Sequence, residues 1–382
     1  MQSGKGYELR ACKEDHVIRI LQCVNNMHRA GLETMLMNYY RNIDRTRIQF
    51  DFLTHRPERD DYDDEIEALG GRIYRAPRLY PQNYPAYFAY MKKFFREHPE
   101  YQIVHSHIDT MSYLPLLAAK KAGVPVRIAH SHSTSIDLDF KYPLKQCFRA
   151  MLPAVATYRI ACGQEAGKFL YRGRDFQLIP NAIMADRYFF NPEIRELKRK
   201  ELGLKDQFVV GHVGRFCYPK NHEFLLKLFS LLLQQDPDAV LMLVGTGEKE
   251  SAIQAYVEEL HIEDSVRFLG NRSDVNELYQ AMDIFVMPSL FEGVPVVGVE
   301  AQFAGLPCLF SSRVPKEVAF SDHCAFLELD AGAAAWAEAV LQYQKQQGPR
   351  ISPTNDHYDV KKASKILEEV YEKMHLQLSE NH

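Results

Sequence analysis

The run Asp283-Ile-Phe-Val-Met-Pro-Ser289 leads without a break into Leu290-Phe-Glu-Gly-Val-Pro-Val-Val-Gly-Val-Glu300. Its first half is an apolar segment of strand length, closed by a proline. Its second half turns at Glu292-Gly293 and opens a helix, with Pro295 near the first helical position, where the missing N–H costs nothing. A buried strand passing through a tight turn into a helix is the repeating piece of a parallel α/β sheet. The helix start also leaves free backbone N–H groups and a positive dipole end, which together attract phosphate.

The same alternation extends in both directions. Around this run lie FVVGHVG (208–214), AVLMLVG (239–245), VRFLG (266–270), PCLFS (307–311) and AFLEL (325–329). An earlier series holds VIRILQCV (17–24), IQFDFLT (48–54), QIVHSH (102–107), VRIAHS (126–131), YRIAC (158–162) and QLIP (177–180). Amphipathic windows such as 32–43 and 84–98 separate these runs, which predicts parallel sheets buried on both faces. The polar bridge NPEIRELKRKELG (191–203) parts the two series. The expected fold is therefore α/β: two Rossmann-like, doubly wound parallel-sheet domains facing across a cleft, over residues 1–183 and 184–357. The chain closes on an amphipathic helix within 358–382, with Ala363, Ile366, Leu367, Val370 and Tyr371 on one face.

Composition agrees with two domains. The 382 residues are 46% hydrophobic and 25% charged, enough apolar material for two cores. A formal net charge of −4 argues against a general nucleic-acid binder. No apolar stretch reaches the 18 or so residues that cross a bilayer, and the first sixteen residues hold no apolar signal segment. Seven cysteines, odd in number and without a Cys-x-x-Cys pair, fit reduced, buried thiols and a cytoplasmic protein.

Several side chains could carry chemistry. Glu292 and Glu300, with seven residues between them, sit where both could accept hydrogen bonds from sugar hydroxyls, although acids near a helix start also serve the dipole alone. Arg215 and Lys220 follow FVVGHVG beside another helix start, where two cations can neutralise a diphosphate without a metal. His105, His107, His130 and His132 flank two strand ends; a metal cluster is conceivable from composition, but satisfied loop histidines are the favoured reading for 105 and 107. The acidic cluster Asp60–Asp64 reads as a solvated helix start, and no metal is expected. Residues 141–174 carry seven Lys/Arg against one acid, with interleaved aromatics. That suits peripheral contact with an anionic membrane, or equally a solvated helical face.

The segments VGRFCYPK (213–220), VRFLGNRSDV (266–275), AMDIFVMPS (281–289) and EGVPVVGVE (292–300), in this order, resemble retaining glycosyltransferases of sequence family four, which have the GT-B architecture. The resemblance runs from about Val17 to the C-terminal helix and is strongest to bacterial enzymes of exopolysaccharide and capsule synthesis. It implies transfer of a sugar, with retention, from a UDP-sugar donor to a glycan or polyprenyl-linked acceptor, without metal or other cofactor and without nucleic acid. Arg215 and Lys220 would hold the diphosphate, Glu300 the ribose and Glu292 the transferred sugar. Backbone at Gly293, Val294, Pro295 and Val296 would meet phosphate or sugar oxygens, and Gly270, Asn271 and Arg272 would lie at the base. Gly31 would approach the donor phosphates, with Ala30 in place of the family's usual first glycine. Asn221 and Ala182 also stand where glycine is common. His132 would sit at the reaction centre, with His130 as its rival, so the implied catalytic set is His132, Glu292, Arg215 and Lys220. In the family the C-terminal helix crosses back to brace the first domain. The competing functions are a nucleotide-sugar epimerase of similar architecture and a two-lobed sugar-binding protein.

Overall fold

The computed structural model describes residues 17–136, 141–346 and 348–380. The first sheet comprises β1 (Ile18–Cys23), β2 (Ile48–Thr54), β3 (Ile73–Arg75), β4 (Ile103–Ser106), β5 (Val126–Ser131), β6 (Tyr158–Ala161) and β7 (Gln177–Leu178). The second comprises β8 (Val209–Val213), β9 (Val240–Val244), β10 (Val266–Phe268), β11 (Ile284–Met287), β12 (Cys308–Ser311) and β13 (Cys324–Leu327). Their orders are β3-β2-β1-β4-β5-β6-β7 and β10-β9-β8-β11-β12-β13, and every pairing is parallel. The expected α/β architecture of two Rossmann-like sheets is what the chain adopts.

Each order reverses beside its first strand, between β1 and β4 and between β8 and β11. Crossovers leave these points in opposite directions, so the strand ends open a crevice there. The segments singled out above fall at those crevices. Arg215 and Lys220 follow β8, and Glu292 follows β11; Gly31 follows β1, and His107 follows β4. β2, β8, β9 and β11 are buried at every position, as strands covered on both faces must be.

The helix Val360–Glu380 follows the second sheet in sequence but packs in the first core. Val360, Ala363, Leu367, Val370, Tyr371 and Met374 share a cluster with Ile20, Tyr39 and Phe50. Ile366, expected on that face, is 43% exposed: it lies about 100° around the helix from Leu367, at the stripe's edge. No helix among the described residues is long and apolar enough to cross a membrane.

Three other expectations need correction. The acidic cluster is not merely solvated: Asp63 is buried against Arg75, while Asp60 and Asp61 accept the backbone N–H groups of Met27 and Arg29. These bonds tether the loop after β1. Cys147 is exposed and Cys217 and Cys324 partly so, whereas Cys23, Cys162 and Cys308 are buried; Cys12 lies outside the described residues. Finally, part of the basic 141–174 charge is spent internally. Arg149 donates to the Phe169 carbonyl, Arg159 to that of Asp175, and Lys168 pairs with Glu165.

Candidate active site

The loop leaving β8 is held by its neighbours rather than by its own length. Gly214 N–H donates to the Val244 carbonyl at 2.9 Å and Phe216 N–H to that of Thr246 at 2.9 Å, so the loop runs along the exit of β9. Gly245 makes this approach possible. Its φ is +130°, and a Cβ there would lie 2.1 Å from the Gly214 carbonyl oxygen. Phe216 is buried and anchors the loop, which leaves the adjacent Arg215 side chain 73% exposed, paired with Glu248 at 3.1 Å. The turn Tyr218–Lys220 ends at Asn221 with φ +55°, a left-handed conformation asparagine tolerates, and Asn221 Nδ2 donates to the Pro288 carbonyl at 3.0 Å. Asparagine thus serves where glycine is common, and it ties the two crevice loops together.

Lys220 Nζ donates to Glu292 Oε1 at 2.7 Å, with both side chains largely buried. The phosphate cation and the sugar acid expected from sequence therefore hold each other in the free protein. The helix after Glu292 spans Val296–Phe303, and Pro295 is its capping residue, one position earlier than expected. The first helical bonds run from Gly298 and Val299 N–H to the Pro295 carbonyl, which leaves the N–H groups of Val296 and Val297 ahead of the ladder.

Glu300 lies one turn into that helix. Tyr188 OH donates to its Oε1 at 2.8 Å and Tyr279 OH to its Oε2 at 3.0 Å. Burial pushes the carboxyl above its ordinary range, and the two tyrosine hydroxyls partly oppose this. Below them, Gly270 (φ +66°) offers its carbonyl to Gly245 N–H, and Asn271 is exposed. Arg272 is clamped on Asp274 by contacts of 2.7 and 2.6 Å, so its guanidinium is already committed.

The opposite wall comes from the first sheet. His132 follows β5, and its backbone N–H donates to Asp109 Oδ1 at 2.8 Å; Ser133 Oγ donates to Asp109 Oδ2 at 3.0 Å. Thr134 Oγ1 then donates to the Glu292 carbonyl at 3.3 Å. A Cβ on Gly293 would stand 3.3 Å from the His132 carbonyl. The His132 loop therefore meets the Glu292–Gly293 turn across the cleft.

His105 and His107 are not loop histidines; both are buried, one within β4 and one just after it. His107 Nε2 meets Gln22 Oε1 at 2.8 Å, and His107 Nδ1 meets His132 Nε2 at 3.0 Å. A carboxamide oxygen only accepts, so His107 carries its proton on Nε2 and takes one from His132 Nε2. His132 Nδ1 is then a bare acceptor, buried beside the Asn181 carboxamide. A second branch runs from Gln22 Nε2 to Tyr371 OH (3.2 Å), to His105 Nδ1 (2.6 Å), and from His105 Nε2 to His130 Nδ1 (3.1 Å). Burial, with repulsion among the rings, holds His105, His107 and His130 well below 6.5, and burial holds His132 at about 3. All four are neutral at physiological pH.

Among the described residues, His105, His107 and His130 present nitrogens within 4.8 Å of one another, a spacing a metal could use. Of their six ring nitrogens, only His130 Nε2 lacks a hydrogen-bond partner. The other five are already committed to hydrogen bonds within a polar core. Gly31 begins the helix Gly31–Asn42, and a Cβ on it would meet nothing within 4 Å, while Ala30 caps that helix in extended conformation.

Two facing Rossmann-like sheets, with cation-bearing and helix-start loops at the crevice of the second, define the GT-B class of fold. Comparison with known proteins agrees. The family description "Glycosyltransferase Family 4" matches residues 29–187, and "Glycosyl transferases group 1" matches 194–359. EpsF of Bacillus subtilis (strain 168), named as a glycosyltransferase, is 37% identical over 334 residues, covering 85% of this chain and 87% of that protein. An Escherichia coli UDP-Gal:alpha-D-GlcNAc-diphosphoundecaprenol alpha-1,3-galactosyltransferase is 30% identical over 227 residues, 56% of this chain and 58% of the relative. The crystal structure of Anabaena HepE in complex with UDP and glucose superposes with a TM-score of 0.77 at 18% identity, over 94% of this chain and 100% of that one. The chain belongs to the family-four glycosyltransferases.

Sequence reading missed Tyr188 and Tyr279, which hold Glu300, and Asp109, which holds the His132 loop. Asp109 left one faint signal, an acid just beyond a strand ending in His-Ser-His; it adopts φ +46°.

Proposed function

We propose that this protein moves a sugar from a UDP-sugar to a glycan or lipid-diphosphate-linked acceptor, with retention of anomeric configuration, in cell-surface polysaccharide synthesis. The observation that carries the reading is the crevice between β8 and β11. There the loop that carries Arg215 and Lys220 meets, through Lys220, the Glu292 turn that leads into the Val296 helix, opposite the His132 loop. The names of the relatives support it: HepE was solved with UDP and with UDP-glucose, and the E. coli relative is named for a UDP-galactose donor and a diphosphoundecaprenol-linked acceptor.

In this reading the donor diphosphate takes Lys220 from Glu292, and Arg215 turns from Glu248 to the same phosphates. Glu292, released, accepts hydrogen bonds from the transferred sugar. Glu300, steadied by Tyr188 and Tyr279, accepts from the ribose hydroxyls. His132 Nδ1, the ring's acceptor nitrogen, accepts from a sugar hydroxyl. As the bond from the anomeric carbon to phosphate breaks, positive charge grows on the ring and negative charge on UDP. The two cations and the helix dipole stabilise the latter. The acceptor hydroxyl bonds to the anomeric carbon on the face UDP leaves, and its proton passes to a departing phosphate oxygen.

Protein cations fill the role a divalent metal has in other transferases, so the reaction runs without one. The protein works at the cytoplasmic membrane face, where lipid-linked acceptors lie, and the basic 141–174 segment favours that contact. Transfer assays with a panel of UDP-sugars test the function; transfer from none of them, alongside transfer from another class of donor, would refute it. Sedimentation with anionic vesicles tests the membrane contact, which should fade with added salt.

A further inference from the structure

Glu317 lies on the second domain, in the short turn Lys316–Val318 after β12, and its carboxylate reaches the first. Its Oε2 accepts the Gln164 backbone N–H at 2.8 Å. Gln164 opens the helix Gln164–Tyr171, whose capping residue, Gly163, has no side chain to cap it. A carboxylate from the other domain takes that place, where a negative group also suits the helix dipole. The approach needs a glycine: a Cβ on Gly163 would stand 2.5 Å from Glu317 Oε1 and 2.7 Å from Val294 Cγ2. Val294 belongs to the turn between Glu292 and the Val296 helix, so the same helix end also meets the donor loop.

Both ends of this bridge are fastened to walls of the cleft. On the second domain, Gln302 lies in the helix that carries Glu300 and is fully buried. Its Nε2 donates to the Val318 carbonyl at 2.8 Å, and its Oε1 accepts the N–H groups of Phe320 and Ser321 at 2.8 and 3.1 Å. On the first domain, Ser131 Oγ donates to the Ala166 carbonyl at 2.8 Å, and Cys162 N–H to the Ser131 carbonyl at 3.0 Å. His132 is the next residue. Hydrogen bonds and short backbone segments thus join the Glu300 helix to the His132 loop through Glu317. Tyr358 OH steadies the bridge from the segment that leads back to the first domain, donating to the Glu317 carbonyl at 2.9 Å.

We infer that Glu317 is a positioning residue for sugar transfer, setting the spacing between the donor loop and His132. The inference rests on the glycosyl-transfer reading and adds to it the contact that aligns the two walls. The proposed UDP contacts, Arg215, Lys220, Glu300 and the Val296 helix start, all lie on the second domain. Loss of the bridge leaves them intact, whereas a misplacement of about 1 Å at the reaction centre can cost roughly 10²-fold in rate.

Two substitutions, one on each domain, break the same bond in the full chain. Glu317→Ala removes the acceptor. Gln164→Pro removes the donor and keeps the helix, because proline is favoured at the first helical position and Gly163 is extended, as a residue before proline should be. Turnover is read with the UDP-sugar of the panel that the parent uses and a farnesyl-diphosphate-linked sugar as acceptor. Each variant should lose at least tenfold in kcat, with UDP affinity within about threefold of the parent. The double variant should lose no more than the worse single one. Glu317→Gln keeps an acceptor for the N–H and should retain most of the turnover. Small-angle scattering with UDP bound needs no turnover: Glu317→Ala and Gln164→Pro should both show a larger radius of gyration than the parent. Parental kcat and radius in both single variants, additive losses in the double variant, or a parallel fall of UDP affinity and kcat would overturn the positioning role. If the parent transfers no sugar from any UDP-sugar, the transfer reading fails, and scattering alone decides whether Glu317 holds the two walls together.

Discussion

Lys220 Nζ and Glu292 Oε1 stand 2.7 Å apart, bridging the loops that leave β8 and β11. Their side chains are only 15% and 13% exposed, so removing either partner strands a charge in a mostly dry site. In the proposed reading, this pair would couple phosphate binding to release of the acid that meets the sugar.

That coupling separates the two residues kinetically. Lys220→Ala should cost roughly 10²–10³ in turnover, the scale of losing one preorganised charge donor. Glu292→Gln should depress turnover more than UDP affinity, because it leaves Lys220 free for phosphate. Equilibrium titration with UDP beside steady-state rates separates these effects; an equal fall in UDP affinity and turnover in Glu292→Gln would contradict the assignment.

Glu300 should govern nucleotide affinity. Glu300→Gln keeps size but loses the charge, and charge-assisted hydrogen bonds contribute about 1.5–3 kcal/mol, so UDP should bind at least tenfold more weakly. The carboxyl is raised by burial, so it protonates at a higher pH than an ordinary glutamate and loses acceptor capacity there. UDP affinity should fall as pH drops toward that raised value, and the fall should be absent in the variant. A Glu300→Gln protein with parental affinity would remove the ribose role.

The buried histidines predict acid sensitivity. Unfolded imidazoles take up protons near 6.5, whereas folded His132 does so at about 3 and His105, His107 and His130 only well below 6.5. Below pH 6.5 the unfolded chain binds more protons, so stability falls as pH falls from that point. For His132, at about 3 in the folded protein, the loss at pH 5 is roughly 2 kcal/mol, from about 1.4 kcal/mol per pH unit, and the other three add in the same direction. Tm measured from pH 7.5 to 5 should drop steeply, and His107→Gln should flatten the slope. A Tm independent of pH over that range would contradict neutral burial.

Tyr371 joins the C-terminal helix to this network. Tyr371→Phe leaves Gln22 Nε2 and His105 Nδ1 without their partner and should cost about 1–3 kcal/mol. Deleting 358–382 uncovers the first core and should abolish soluble, active protein. A truncated chain with unchanged solubility and turnover would contradict the helix's bracing role.

The sheets were legible because parallel strands buried on both faces read as near-continuous apolar runs, as in IFVM and VLMLV. The crevice loops were legible because phosphate binding needs helix starts and cations close in sequence. What stayed hidden came from tertiary contact. Glu300 gave no sign of Tyr188, 112 residues away, nor Lys220 of Glu292, 72 away. The alternation of His105 and His107 indicated a shared side but not its cover, since Tyr371 comes from 266 residues beyond.

The central claim is metal-free transfer from UDP-sugar with retention, and one measurement bears on it most directly. The protein, with excess EDTA, is incubated with a UDP-sugar panel and a farnesyl-diphosphate-linked sugar, and the product's anomeric coupling is read by NMR. An α-linked product from an α-configured donor, formed at the same rate with and without EDTA, is the result expected. A β-linked product, or transfer that stops under EDTA and resumes with magnesium or manganese, would contradict it.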